Sequence, residues 1–104
     1  MDGFDIESLD EVIHGRVRLG VMAYLTASND AGFGQLKAAL GVTDGNLSVH
    51  LTKLEEAGYV TIDKRFEGKK PLTTVRITPQ GRAAFARYLE AIQALVGQVG
   101  TSQA

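Results

Sequence analysis

The sequence predicts a mainly α chain with a small β-hairpin: a helix-turn-helix that runs into the hairpin and ends in a long C-terminal helix. Three observations carry this. Leu47, Leu51 and Leu54 share one side of a helix that Thr43 opens and Gly58 closes. Directly after it the apolar period changes to two, through Val60 and Ile62 and again through Val75 and Ile77. Thr78-Pro79 then opens a stretch in which helical spacing returns.

Taken in order, residues 1–8 read as a polar, mobile arm. Leu9, Ile13, Val17, Val21 and Tyr24 recur at helical spacing, interrupted by Gly15 and Gly20. A glycine inside a helix costs up to about 1 kcal/mol, so a short helical piece is expected over 9–14 and a main helix from Arg16 to Ala27. Ser28 to Gly32 is a loop by composition. A short helix follows from Gly34 to Leu40, stopped by Gly41, and Thr43 caps the next one, which ends near Ala57. Phe66 to Pro71 reads as the hairpin loop, and Pro71 excludes a central strand at its own position. In the last helix Phe85, Leu89, Ile92, Val96 and Val99 step by 4, 3, 4 and 3, a heptad-like seam that Tyr88, Ala91 and Leu95 widen. One stripe suffices to cover a small domain, so a seam this wide is expected to serve the core and a second chain together. The resulting organisation is one domain over 9–99, with a dimerisation helix over 79–99 and a frayed tail at 100–104.

Composition narrows the function. The chain of 104 residues fits one domain, and 44% hydrophobic residues can form a core. With no cysteine, thiol catalysis, disulfides and cysteine metal sites are out. His14 and His50 stand far apart in sequence and suggest no metal cluster, and no cofactor is expected. No apolar run is long enough for a bilayer and no leader is evident, so a soluble cytoplasmic protein is expected. No phosphate-binding glycine loop or catalytic triad spacing occurs, which makes an enzyme the weaker class.

The net charge of −1 conceals an asymmetry. Five of the 12 acidic residues fall in the first 11 positions, whereas Lys64, Arg65, Lys69, Lys70, Arg76 and Arg82 face only Glu67 between positions 64 and 82. Local charge decides whether a surface attracts phosphate. On the helix after Thr43, rotation by about 100° per residue leaves Gly45, Asn46, Ser48, Val49, Thr52 and Lys53 opposite the leucines, with His50 on the boundary. That face is small and nearly free of acid, as a helix entering a major groove must be. Asn46 can pair with adenine, Ser48 with a base or phosphate, Val49 with a thymine methyl and Lys53 with a phosphate. Arg65 suits a narrow minor groove, and Lys69 and Lys70 suit phosphates.

Residues 41–60, Gly-Val-Thr-Asp-Gly-Asn-Leu-Ser-Val-His-Leu-Thr-Lys-Leu-Glu-Glu-Ala-Gly-Tyr-Val, together with the basic hairpin and Ile77-Thr78-Pro79-Gln80-Gly81-Arg82, resemble MarR-type and ArsR-type winged-helix transcriptional regulators. The resemblance implies a winged helix-turn-helix with an additional C-terminal dimerisation helix, acting as a homodimer on a pseudo-palindromic operator in double-stranded DNA. It places the DNA contacts on Thr43, Gly45, Asn46, Ser48, Val49, His50 and Lys53, with wing contacts at Arg65, Lys69 and Lys70. The dimer seam falls on Phe85, Tyr88, Leu89, Ile92, Leu95, Val96 and Val99. Many relatives carry a basic residue where Val49 stands, which shifts the expected base readout toward Asn46 and Ser48. The metal-sensing branch lacks its ligands here. A small-molecule effector cleft would draw on Tyr24, Phe85 and Tyr88, and the sequence gives no support for one. The alternative to DNA binding is a winged helix that docks proteins, which the basic wing and acid-poor helix face disfavour.

Overall fold

The computed structural model describes residues 5–101, with side-chain surroundings for residues 5–97. Four helices, α1 (Arg16–Ser28), α2 (Phe33–Leu40), α3 (Asp44–Glu56) and α4 (Pro79–Thr101), and three strands, β1 (Asp30–Gly32), β2 (Val60–Glu67) and β3 (Lys70–Ile77), follow in the order α1-β1-α2-α3-β2-β3-α4. The sheet is antiparallel in the order β1-β3-β2.

Three elements depart from the sequence reading. Residues 9–14 form no helix. Asp10 instead accepts the amides of Val12 (2.8 Å) and Ile13 (3.4 Å), closing a single turn that buries Ile13. Within the expected arm, Ile6–Ser8 form a 3-10 turn capped by the Asp5 carboxylate, and residues 1–4 lie outside the described part. Residues 30–32, expected in a loop, pair with β3 through Asp30↔Arg76, Ala31↔Val75 and Gly32↔Thr74, so the hairpin grows into a three-stranded sheet.

The hairpin loop is also tighter than expected. Glu67 pairs with Lys70, leaving only Gly68 and Lys69 in the turn, and Gly68 has φ +65°. A glycine with positive φ at the first of two loop positions marks a type II′ turn. The pair flanking such a turn is hydrogen-bonded, so the next pair, Phe66↔Pro71, is not. Pro71 therefore lacks no ladder bond on that side. β3 is the central strand, yet β1 reaches only Thr74–Arg76, and Pro71 stands beyond it.

The core joins Val17, Val21, Met22 and Leu25 of α1 to Leu36, to Leu47, Leu51 and Leu54 of α3, and to Val60, Val75 and Ile77 of the sheet. α4 closes it with Ala84, Phe85 and Tyr88, and the Tyr88 hydroxyl meets His14 Nδ1 at 2.6 Å. One close approach requires glycine: a Cβ on Gly81 would lie 2.9 Å from the Tyr59 carbonyl carbon, whereas one on Gly20 would lie 2.7 Å from Leu40 Cδ2, a side-chain end that can shift. The expected helix interruption at Gly20 is thus the contact point between α1 and α2.

α4 has 23 residues, about 35 Å of helix. Phe85 and Tyr88, assigned above to a partner seam, are buried in the chain's own core. Both rings therefore pack within the chain itself, and Tyr88 also borders a cleft with residues 7–12. Past Tyr88, Ile92 is the one hydrophobic residue among those described that still packs against the core. Leu89 is 46% and Val96 66% exposed, and Leu95 is half-buried. The surroundings of the Val99 side chain lie outside the described residues, and the helix runs through Thr101, past the expected start of the tail.

Candidate nucleic-acid interface

The recognition surface begins at the turn between α2 and α3. Thr43 Oγ1 accepts the Asn46 amide at 3.2 Å, so its expected capping role is realised. Asp44, the one acid in the first turn of α3, meets Lys37 of α2 at 2.8 Å. Each charge complements the dipole of its own helix end. Both are exposed, so the pair adds at most about 1 kcal/mol. Its larger effect is to offset a carboxylate where α3 would approach a phosphate backbone.

Leu47, Leu51 and Leu54 are buried, and Gly45, Asn46, Ser48, Val49, Thr52 and Lys53 are exposed, as the helical rotation predicts. Val49 is 58% exposed, an apolar spot in the middle of a polar face. His50 is half-buried, with its Nδ1 3.4 Å from Arg18 Nη1. A guanidinium only donates, so Nδ1 carries the lone pair and the neutral ring holds its proton on Nε2. Burial, then the Arg18 and Lys53 charges, hold the His50 pKa below its ordinary 6.5. Arg18 Nε is buried without a partner, a cost the His50 contact offsets only in part.

Across an open groove from α3 stands the hairpin. Ser48 and Thr52 line its helix side, and Ile62, Lys64 and Thr73 its strand side. By register, Val60, Ile62, Lys64 and Phe66 share this face, while Thr61, Asp63, Arg65 and Glu67 share the other. Lys64 is therefore the wing cation turned toward α3. Arg65 is on the far face and bonds Asp63 at 2.6 Å, an exposed pair that separates at little cost. Lys69 lies in the turn and Lys70 beside it, both exposed.

The basic run thus divides. Arg76 pairs across the sheet with Asp30 at 3.1 Å. Arg82 donates to the Thr26 carbonyl at 3.2 Å and to the Asn29 side chain, holding α4 to the end of α1. Arg82 holds the fold and Arg76 is engaged on the β1 side of the sheet, and the cations nearest α3 and the wing tip are Lys53, Lys64, Arg65, Lys69 and Lys70. Residues 7–12 form a cleft with Ala84, Arg87 and Tyr88, and Glu11 and Val12 border a second one with Arg18 and with Lys53 of α3. Asp10 Oδ2 accepts the Tyr59 hydroxyl at 2.5 Å. Burial first, then this bond, push the Tyr59 pKa up to about 12, so the phenol stays a donor.

The structure brings Gly45, Asn46, Ser48, Val49 and Lys53 onto one exposed face, with Thr43 at its start and His50 at its edge. Sequence reasoning counted Lys64 in the basic run without turning it toward α3, and it missed Lys37 and Arg18. Continuing the period-two alternation from Ile62 to Phe66 would have found the orientation of Lys64; the other two depend on tertiary contacts. Among the described residues no group of three His, Asp or Glu is placed to hold a metal, and no helix is long and apolar enough to cross a membrane.

A helix-turn-helix whose second helix lies beside a basic hairpin defines a winged helix. Residues 17–96 match the family model of the winged helix DNA-binding domain, and the chain belongs to that family. An uncharacterised protein of Methanocaldococcus jannaschii is 38% identical over 79 residues, covering 76% of this chain and 86% of the relative. Among solved structures, a transcriptional regulator homologue from Pyrococcus horikoshii aligns with a TM-score of 0.75 at 31% identity, covering 90% of this chain and 98% of that one. A protein described as a MarR-family transcriptional regulator of Enterococcus faecalis aligns at 0.67 and 25% identity, covering 99% and 93%. The family and fold are those of transcriptional regulators.

Proposed function

We propose that the protein is a sequence-specific double-stranded DNA-binding regulator that acts as a homodimer, with α3 in the major groove and the wing on the minor groove and phosphates. One observation supports this reading above the others: the acid-poor outer face of α3, with Asn46, Ser48, Val49 and Lys53, shares a groove with the wing lysine Lys64. The charge and the acid-poor helix face there suit a duplex. Asn46 and Ser48 take the base edges, and Lys53, Lys64, Lys69 and Lys70 take phosphates. Arg65 leaves Asp63 to enter the minor groove.

The dimer reading rests on α4. Leu89, Leu95 and Val96 continue an apolar stripe past the point where the core ends at Ile92. A second copy on this stripe would present two α3 helices to one pseudo-palindromic operator, as a two-fold protein requires. The residues proposed for the seam are Leu89, Ile92, Leu95 and Val96, with Phe85 and Tyr88 removed. Selection of bound duplexes from random-sequence DNA, followed by fluorescence anisotropy at two salt concentrations, tests the function. Sub-micromolar, steeply salt-dependent binding to a two-fold sequence is expected, and no retained duplex at low salt would refute it. In the same assay Arg65→Ala should weaken binding more than Arg87→Ala, since Arg87 lies on α4.

A further inference from the structure

Phe66 is 72% exposed, the largest exposure among the large hydrophobic residues of the described chain. It does not sit on a disordered tip. It occupies the last pair but one before the turn, opposite Pro71, in a non-hydrogen-bonded pair where cross-strand side chains stand closest. By register it lies on the same hairpin face as Ile62 and Lys64, the face turned to the α3 groove. The apolar side of the sheet thus continues past the end of the core as an unpartnered Phe-Pro tip. Its place opposite Pro71 leaves the ring uncovered.

The surroundings say what would cover it. Lys64 shares the face of the pair, Lys69 lies in the turn beyond it, and Arg65 and Lys70 stand on the opposite face, with Asp63 engaged by Arg65 and Glu67 the remaining acid. A tip with this excess of cations repels another copy of itself and fits a polyanion. The area also argues against a protein partner, since one aromatic covers about 200 Å² and a stable interface needs about 800 Å² per side. An apolar side chain flanked by phosphate-binding cations matches the physics of a minor-groove wedge, which opens one base step and bends the duplex.

We propose that Phe66, backed by Pro71, wedges between base pairs of the minor groove beside the site read by α3. This makes the wing a sensor of DNA deformability as well as a phosphate clamp. The inference rests on the DNA-binding reading above. Pyrimidine–purine steps such as TA unstack most easily, so the wing selects them at a position where it makes no base hydrogen bond. Exchange of the selected step for a stiff one should weaken binding by about tenfold, in the range of a single unfavourable base pair.

The test uses the full chain and a duplex that it selects from random-sequence DNA, with dyes at the two ends to read bending and a fluorescent adenine analogue walked through the flanks to read unstacking. Wild-type protein is expected to shorten the end-to-end distance and to brighten the analogue at one flanking step. Phe66→Ala should keep its thermal midpoint, bind with about tenfold lower affinity, and lose both signals. Phe66→Leu, still an apolar wedge, should restore part of each. DNA bound by the wild type but left straight and stacked, or bent equally by Phe66→Ala, would overturn the wedge while sparing the DNA-binding reading. Failure of the wild type to retain any duplex would overturn both. Loss of self-association in Phe66→Ala, read by sedimentation, would assign the tip to an interface between copies and overturn the wedge alone.

Discussion

Removing two lysines from the wing turn separates ligand-binding charge from structural charge. In Lys69→Ala/Lys70→Ala both side chains lie in or beside the turn, fully outside the core and with no carboxylate partner among the described residues. Surface changes of this kind move stability by about 0.5 kcal/mol or less. Each lysine that neutralises a phosphate contributes about 0.9 to the slope of log K against log salt. The double variant should therefore flatten the slope by about 1.8 per protomer, or about 3.6 for a dimer on one operator. Arg82→Ala supplies the contrast. It removes a similar charge from the same basic run, but it breaks the bonds to the Thr26 carbonyl and the Asn29 side chain. Discounted for exposure, that loss is about 1 kcal/mol, which lowers the thermal midpoint by about 4–8 °C in a domain of this size. Anisotropy titrations over a salt series give the slopes, and thermal circular dichroism gives the midpoints. Equal slope losses in the two variants, or an unchanged slope in the lysine variant, would refute the division of charge.

Three further outcomes follow from the packing. Gly81→Ala should cost about 2–4 kcal/mol through overpacking and a weakened cap, because its Cβ would press on the Tyr59 carbonyl and displace the Thr78 bonds to Gly58 and Gly81; an unchanged thermal midpoint would contradict that contact. His50 is held below its ordinary 6.5 in the folded chain, so the unfolded chain takes up the proton first as pH falls. Stability should decline below about pH 6.5 and stop declining once the folded ring also protonates. His50→Gln should remove that segment of the curve, measured by urea midpoints across the range. Leu89→Arg/Val96→Arg should give a folded monomer by sedimentation, whereas Phe85→Ala should lose about 3–5 kcal/mol of stability; a dimeric double variant would refute the narrowed seam.

What was legible in the chain was whatever depends on near neighbours. Three leucines at helical spacing fixed which side of α3 faces inward. Thr43 and Thr78 each precede a helix and each accept the amide three residues on, as cap chemistry dictates. What was not legible depended on pairing across distance. Asp30, Ala31 and Gly32 have loop composition and become a strand only because β3 presents a free edge to them. Pro71 read as a loop residue because the alternation of hydrogen-bonded and free pairs is invisible until the turn length is known.

Charge shows the same limit more sharply, and it bears on function. Six cations in a run say nothing about which are already satisfied. Arg76 and Arg82 are engaged by Asp30 and by the end of α1, and this leaves Arg65 and the three lysines as the share of the run open to a ligand. The seam of α4 divides by the same logic. A heptad-like stripe states that something covers it, not what, and here the chain itself covers Phe85 and Tyr88 before the helix leaves the core at Ile92. Among the described residues the exposed part is short, so the proposed dimer would be held by Leu89, Leu95 and Val96 more than by aromatic contacts. Such an interface would make assembly sensitive to protein concentration. Operator binding would then report dimer formation and DNA affinity together, and the two separate only when the salt slope and the sedimentation state are measured on the same variant.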